Sequence, residues 1–224
     1  CIQLTDLELK NMDFHDGILE LWSLTNLTSL RLGNVTMSEE CIRSVCSSII
    51  SCIQLTDLEL KNMDFHDGIL ELRSLTNLTF LTVENVTISE DCSRSLCSSI
   101  SGFTDMKSLK LKYIKLHDGV FELRRLTNLS FLKVGSVTMS EECSRSLCSS
   151  ISRCTRLKSL YLKDITLFDG ILEMRTLTNL TSLTLVCVTM SEECIRSLCS
   201  SICSCIQLER LELWDTTLCD VVLE

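Results

Sequence analysis

The side chains in this 224-residue chain best able to do chemistry are fifteen cysteines and three histidines. Cys41 and Cys46 return as Cys92 and Cys97, as Cys143 and Cys148, and as Cys194 and Cys199. Cys52 returns as Cys154 and Cys205, with Cys1 in the same register; Cys187, Cys203 and Cys219 stand outside the pattern. A thiolate metal site needs convergent ligands, typically paired with about two to four residues between them. Here the paired cysteines are five apart, which on a helix turns them about 140° away from each other. In one copy the Cys52 position is Phe103. A position that takes either a thiol or a phenyl ring behaves as an apolar filler. The cysteines are therefore expected to be small buried hydrophobes, binding neither metal nor other cofactor. Free thiols of that kind suit a reducing, cytoplasmic compartment, with an extracellular location as the alternative.

His15, His66 and His117 each stand before Asp-Gly, an arrangement that invites a metal or acid–base reading. The fourth copy reads Phe168-Asp169-Gly170, so what persists is Asp-Gly, the signature of a turn. No Ser/His/Asp set, phosphate-cradling glycine loop or zinc spacing stands apart from the repeats, and an enzyme is not expected. Six N-x-S/T sequons occur, at Asn26, Asn34, Asn77, Asn85, Asn128 and Asn179. Four of them are one position copied, and the other two are a second, so their number reflects duplication more than glycosylation.

These residues recur because the whole chain recurs. The tract LTDLELKNMDFHDGILEL occupies 4–21 and again 55–72, and Leu7, Leu58, Leu109, Leu160 and Leu211 are each 51 apart. Each unit holds two copies of LxxLxL followed by further apolar positions: Leu4, Leu7 and Leu9 with Met12 and Phe14, then Leu27, Leu30 and Leu32 with Val35 and Met37. The step from Leu4 to Leu27 is 23 residues, and from Leu27 to Leu55 it is 28. In the 28-residue half, Ser38 is placed to cap a helix whose first turn carries Glu39 and Glu40. Cys41, Val45 and Ile49 form its inward stripe, and Glu39–Arg43 is the favourable i,i+4 pair. In the 23-residue half, Ile18, Leu21, Leu24 and Leu27 recur every third residue, a 3₁₀-like spacing begun by Asp16 and Gly17.

The motif resembles the leucine-rich repeat over the full length, in nine registers. The resemblance implies an α/β solenoid occupying 1–224 as one array: a curved horseshoe with about nine parallel strands on its concave face, alternating 28-residue helical and 23-residue short-turn repeats. The asparagine common at the turn after the strand is replaced by Met12, Val35, Met63, Val86, Ile114, Val137, Ile165 and Val188, so an asparagine ladder is not expected there. The 28-residue half is similar to ribonuclease-inhibitor-type repeats, which also form the sensor end of NACHT–leucine-rich-repeat receptors of innate immunity. That implies ligand sensing or autoinhibition in a larger cytosolic receptor. An extracellular receptor or adhesion ectodomain, and a ubiquitin-ligase adaptor or inhibitor, use the same solenoid. With no polar capping repeat at either end, the chain is expected to be part of a longer array.

Strand alternation places three residues of each repeat on the concave face. Between internal copies these positions vary much more than the helical block. Along the fifth to seventh strands they supply Lys110, Lys112, Lys133 and Lys163 with no acid, although the chain carries a net charge of −9. Phe80, Phe131, Tyr161 and Trp214 are expected to be exposed on the same face. Aromatics beside cations are a common binding composition, so these eight residues are the candidate partner site, centred on Lys110, Phe131, Lys133 and Tyr161. The partner expected is a protein, acidic or mixed in charge. The acidic balance disfavours nucleic acid, and no apolar run approaches the roughly 18 residues that span a bilayer.

Overall fold

Leu58 and Leu60 alternate with Asp57, Glu59 and Lys61, and an extended backbone sends such alternating side chains to opposite faces. Repeated at each LxxLxL, this makes a sheet with one apolar face. The computed structural model describes residues 3–14, 19, 21–65, 70–116, 123–167 and 172–216. In chain order the elements are β1 (Asp6–Phe14), β2 (Ser29–Met37), α1 (Glu39–Ile49), β3 (Asp57–Phe65), β4 (Phe80–Ile88), α2 (Glu90–Ile100), β5 (Ser108–Lys112), β6 (Lys115–Leu116), β7 (Phe131–Gly135), β8 (Thr138–Met139), α3 (Glu141–Ile151), β9 (Ser159–Leu167), β10 (Ser182–Met190), α4 (Glu192–Ile202) and β11 (Arg210–Trp214). Among the described residues, nine strands form one parallel sheet in the order β1-β2-β3-β4-β5-β7-β9-β10-β11. Parallel neighbours need a crossover, and the helices and turns on the leucine side supply it. The core is one continuous cluster running through Leu30, Leu58, Leu81, Leu109, Leu132, Leu160 and Leu183.

The helices follow their sequence signals. Ser38 accepts a hydrogen bond from the Cys41 backbone N–H at 3.3 Å, and Ser89, Ser140 and Ser191 cap their helices in the same way. Cys41, Val45 and Ile49 are completely buried. The outer pairs Glu39–Arg43, Glu90–Arg94, Glu141–Arg145 and Glu192–Arg196 all close within 3.2 Å. In the 23-residue half, the Leu24 N–H donates to the Leu21 carbonyl and the Leu27 N–H to the Leu24 carbonyl, tandem i to i+3 turns. Ile18, Asp16, Gly17, the three histidines, Phe168, Cys1 and Cys219 lie outside the described residues.

Two features differ from the sequence reading. The first concerns the turn position. The apolar residues Val35, Met63, Val86, Ile114, Val137, Ile165 and Val188 are indeed buried, although Met12 on the first strand is 42% exposed. An asparagine ladder nevertheless exists, one residue earlier and on the surface. Asn11, Asn34, Asn62 and Asn85 all have φ between 50° and 55°, a left-handed conformation that asparagine tolerates better than most residues. The Asn34 amide donates to Asn11 at 2.8 Å, Asn62 donates to Asn34 at 2.5 Å, and Asn85 to Asn62 at 2.9 Å. In later repeats the position passes to Tyr113, Ser136, Asp164, Cys187 and Asp215, still at positive φ.

The second difference is strand length. Pairing resumes beyond the left-handed residue, so β1–β4, β9 and β10 reach nine residues. The extension forms only across 23-residue steps, as in Met12↔Val35 through Phe14↔Met37. Across 28-residue steps pairing stops before the bend, at Gly33↔Lys61. A helix follows directly on the strand there and carries the chain away from its neighbour.

The ladder predicts a position-dependent cost. Asn62→Ala removes an amide bonded on both sides and leaves alanine in the left-handed region. It is expected to lower unfolding stability by about 1–2 kcal/mol. Asn62→Gly should recover the backbone part. Urea unfolding checks this, and alanine and glycine variants of equal stability would contradict the backbone argument.

Candidate functional site

The open face of the sheet is built from three rows, each taking one residue from successive strands. Register fixes their order. The first row runs Asp6, Ser29, Asp57, Phe80, Ser108, Phe131, Ser159, Ser182, Arg210. In the second row Thr82 pairs with Lys110, Lys110 with Lys133, and Lys133 with Tyr161. In the third, Glu84 pairs with Lys112, Lys112 with Gly135, and Gly135 with Lys163. Seven of the eight candidate residues therefore come together across β4, β5, β7 and β9. Trp214 lies apart on β11.

The aromatics are not uniformly exposed as expected. Phe80 and Trp214 are, at 46% and 62%. Phe131 and Tyr161 are half-buried beneath lysines. Lys110 Nζ stands 5.4 Å from the Phe131 ring centre and Lys133 Nζ 4.0 Å from that of Tyr161, both cation–π geometries. Tyr113, which the triplets omitted because it sits at the left-handed position, is 52% exposed with Lys112 Nζ 5.7 Å from its ring. Its sequence signal is an aromatic where earlier repeats have asparagine.

The expectation of four lysines with no acid also needs correcting. The carboxylate comes from the next strand: Lys112 Nζ meets Glu84 at 2.8 Å, and this hydrogen bond raises its pKa. Lys163 lies 3.7 Å from Asp164. Lys110 and Lys133 have no carboxylate partner among the described residues. Burial, and then the charges of Lys112 and Lys110, push the Lys133 pKa below its ordinary value. The positive centre of the face is thus Lys110 and Lys133, held on two rings, and not four equivalent cations.

The described cysteines are all free. Burial pushes the Cys46, Cys148 and Cys154 thiols up to about 12. Cys97 is raised by donating its thiol hydrogen to the neighbouring Cys143 and by burial. These are protonated fillers, unsuited to ligate a metal at neutral pH. Cys187 and Cys203 are exposed. Cys187 is raised by desolvation and then by a hydrogen bond to Asp164. Three of the sequon asparagines have structural bonds: Asn77 donates to the Ile53 carbonyl, Asn128 to that of Thr104 and Asn179 to that of Thr155, within 3.2 Å.

A nine-stranded parallel sheet of in-register repeats, backed by crossovers on one side and open on the other, is the fold of leucine-rich-repeat proteins. Solved structures agree. An internalin of Listeria monocytogenes aligns with a TM-score of 0.54 at 19% identity, covering 97% of this chain and 69% of that one. Internalin C2 of the same organism gives 0.58 at 16% identity, covering 95% and 80%. A leucine-rich-repeat protein of Leptospira interrogans gives 0.55 at 17% identity, covering 91% and 55%. No family model and no curated protein matches the sequence. No described helix is long and apolar enough to cross a membrane.

Thiol chemistry follows from these environments. Under native conditions near pH 8, alkylation followed by peptide mass spectrometry should modify Cys203 first and Cys187 more slowly among the described cysteines. Cys41, Cys92, Cys97, Cys143, Cys148 and Cys154 should react only after unfolding. Rapid native labelling of Cys97 or Cys148 would contradict the packing.

Proposed function

We propose that the chain is a protein-recognition module acting through this open face. It serves as the sensor repeat region of an intracellular NLR-like innate immune receptor, with ribonuclease-inhibitor-type repeats in its 28-residue halves. In this reading the array curves, because helices back only alternate strands and are wider than the strands they follow. The rows above then line a concave surface. The observation that carries the recognition role is the pairing of Lys110 with Phe131 and Lys133 with Tyr161, two cations left without carboxylates in a chain of net charge −9. Cations on aromatic faces are strong contributors to protein interfaces, and their field favours an acidic partner.

The intracellular assignment is supported by the protonated, buried thiols, which suit a reducing compartment. The structural bonds of Asn77, Asn128 and Asn179 support reading those sequons as part of the turns. The alternative, an extracellular ectodomain, would be marked by glycans on these same asparagines.

A displayed peptide library of mixed charge, selected against the folded array, tests the recognition role. Recovered binders should be enriched in Asp and Glu. The double variant Phe131→Ala/Tyr161→Ala, folded by circular dichroism, should bind them about tenfold more weakly or worse, from the loss of two aromatic anchors. Undiminished binding by that variant would sink the proposal.

A further inference from the structure

The cations of the open face fall into two groups. Lys10 pairs with Glu8, Arg31 with Asp57, Lys61 with Glu59, Lys112 with Glu84, Lys163 with Asp164 and Arg210 with Glu212, each within 4.0 Å. Lys110 and Lys133 alone have no carboxylate among the described residues. They are also direct partners in register, so their strands are nearest neighbours, about 4.8 Å apart. Two ammonium groups held side by side repel each other, and neither closes an ion pair among the described residues, although the Glu84 charge partly offsets the repulsion at Lys133. Each instead lies against a ring, Phe131 or Tyr161. Ser108 and Ser159 flank Phe131 in the first row, and their hydroxyls have no partner among the described residues.

We infer that Lys110 and Lys133 form a subsite for a phosphorylated side chain in an extended segment of the protein partner. The inference rests on the recognition role proposed above and names the ligand chemistry at its centre. Charge matching favours phosphate over carboxylate. A phosphomonoester carries about −1.5 to −2 at neutral pH, enough for two ammonium groups, whereas a single carboxylate leaves one unmatched. The side-chain types agree. Lysine binds phosphate as a point charge. Ser108, two residues before Lys110 on β5, is placed to add a hydroxyl donor. Phe80, exposed in the same row, offers apolar contact to the residues beside the phosphate.

A polyphosphate strand fits less well than a single phosphate. Continuing along the rows from the two lysines toward β1, it would meet Asp57, Glu59, Asp6 and Glu8. The protein's net charge of −9 opposes it further, as it opposes an anionic lipid surface. The pH behaviour is distinctive. Lys133 faces Lys110 and Lys112 from β5, Glu84 from β4, and Tyr161 and Lys163 from β9. A phosphomonoester gains its second charge near pH 6, a step a carboxylate ligand lacks, so affinity for it should rise through that range.

The experiment uses the whole chain with its lysines carrying ¹³C-methyl labels, titrated with inorganic phosphate and with a phosphoserine peptide. The Lys133 and Lys110 signals should shift first, and the Lys133 pKa should rise when phosphate is bound. Affinity for the phosphopeptide should increase at least threefold from pH 5 to 7.5. Lys110→Met/Lys133→Met, which keeps the apolar stems over the rings, should weaken it tenfold or more, while Lys158→Met should leave it unchanged. Equal affinity for the same peptide with glutamate at the phosphoserine, or displacement by an RNA oligomer at lower concentration, would overturn the assignment. So would phosphate binding that survives the double lysine variant. Loss of library binding in the Phe131/Tyr161 variant together with no phosphate effect would remove the subsite and leave the recognition role standing. Phosphate binding at the two lysines together with unaltered library binding would remove the recognition role and the protein partner with it.

Discussion

Every strand of the main sheet satisfies its backbone hydrogen bonds through a neighbour 23 or 28 residues away in sequence, and this parallel register governs the rest of the molecule. A parallel ladder is permissive about side chains and strict about alignment. A slip of one residue would exchange Leu58 and Leu60 for Asp57, Glu59 and Lys61 in the core. Side-chain ladders reinforce the alignment at both edges of the sheet. At the start of the strands, the hydroxyls of Thr28, Thr56 and Thr79 donate to the carbonyls of Thr5, Thr28 and Thr56 at 3.0–3.1 Å. Beyond the middle of the strands, the Asn11–Asn34–Asn62–Asn85 amides do the same from left-handed backbone. Helix serines tie the crossovers together: the Leu72 and Met174 N–H groups donate to Ser99 and Ser201.

The same register explains why the face is organised by position. Stacking puts equivalent residues of successive repeats side by side, so a substitution is always felt by the copy next to it. Lys110 beside Lys133 is a like-charge contact that an isolated strand would avoid. Elsewhere on the face the charge is met by an acid in the adjacent copy, as with Arg31 and Asp57 or Lys112 and Glu84, or on the same strand, as with Lys61 and Glu59. Electrostatic neutrality is thus local, reached within a strand or between adjacent repeats. Its failure at one point is visible against that background.

Much of this was legible in the sequence because the signals were periodic. Leucine spacing placed the strands, Ser38 and its copies placed the helix starts, and strand alternation named the face residues. What was not legible depended on what one repeat presents to another. Glu84 lies on a different strand from Lys112, so counting charges strand by strand missed their contact. Strand alternation points Phe131 and Tyr161 outward, yet lysines from adjacent strands lie over them. The asparagine ladder is hidden from the repeat pattern because the apolar turn position, Met12 or Val35, carries the periodic signal while the left-handed bend sits one residue earlier at Asn11 and Asn34. Tyr113 escaped for the same reason.

The unequal extent of strand pairing has a mechanical consequence. Across each 23-residue step the strands are zipped on both sides of the bend, in β1 with β2, β3 with β4 and β9 with β10; β5 with β7 and β6 with β8 reproduce this in two pieces. Across each 28-residue step only the first five positions are joined. The solenoid is therefore a chain of double-stranded blocks divided by thinner seams, and in a quasi-one-dimensional structure the weakest interface decides where opening begins. A tensile or thermal load would part the array at the seams and release whole blocks. The paired lysines on β5 and β7 sit within one block, so they would keep their spacing while the surface around them flexed.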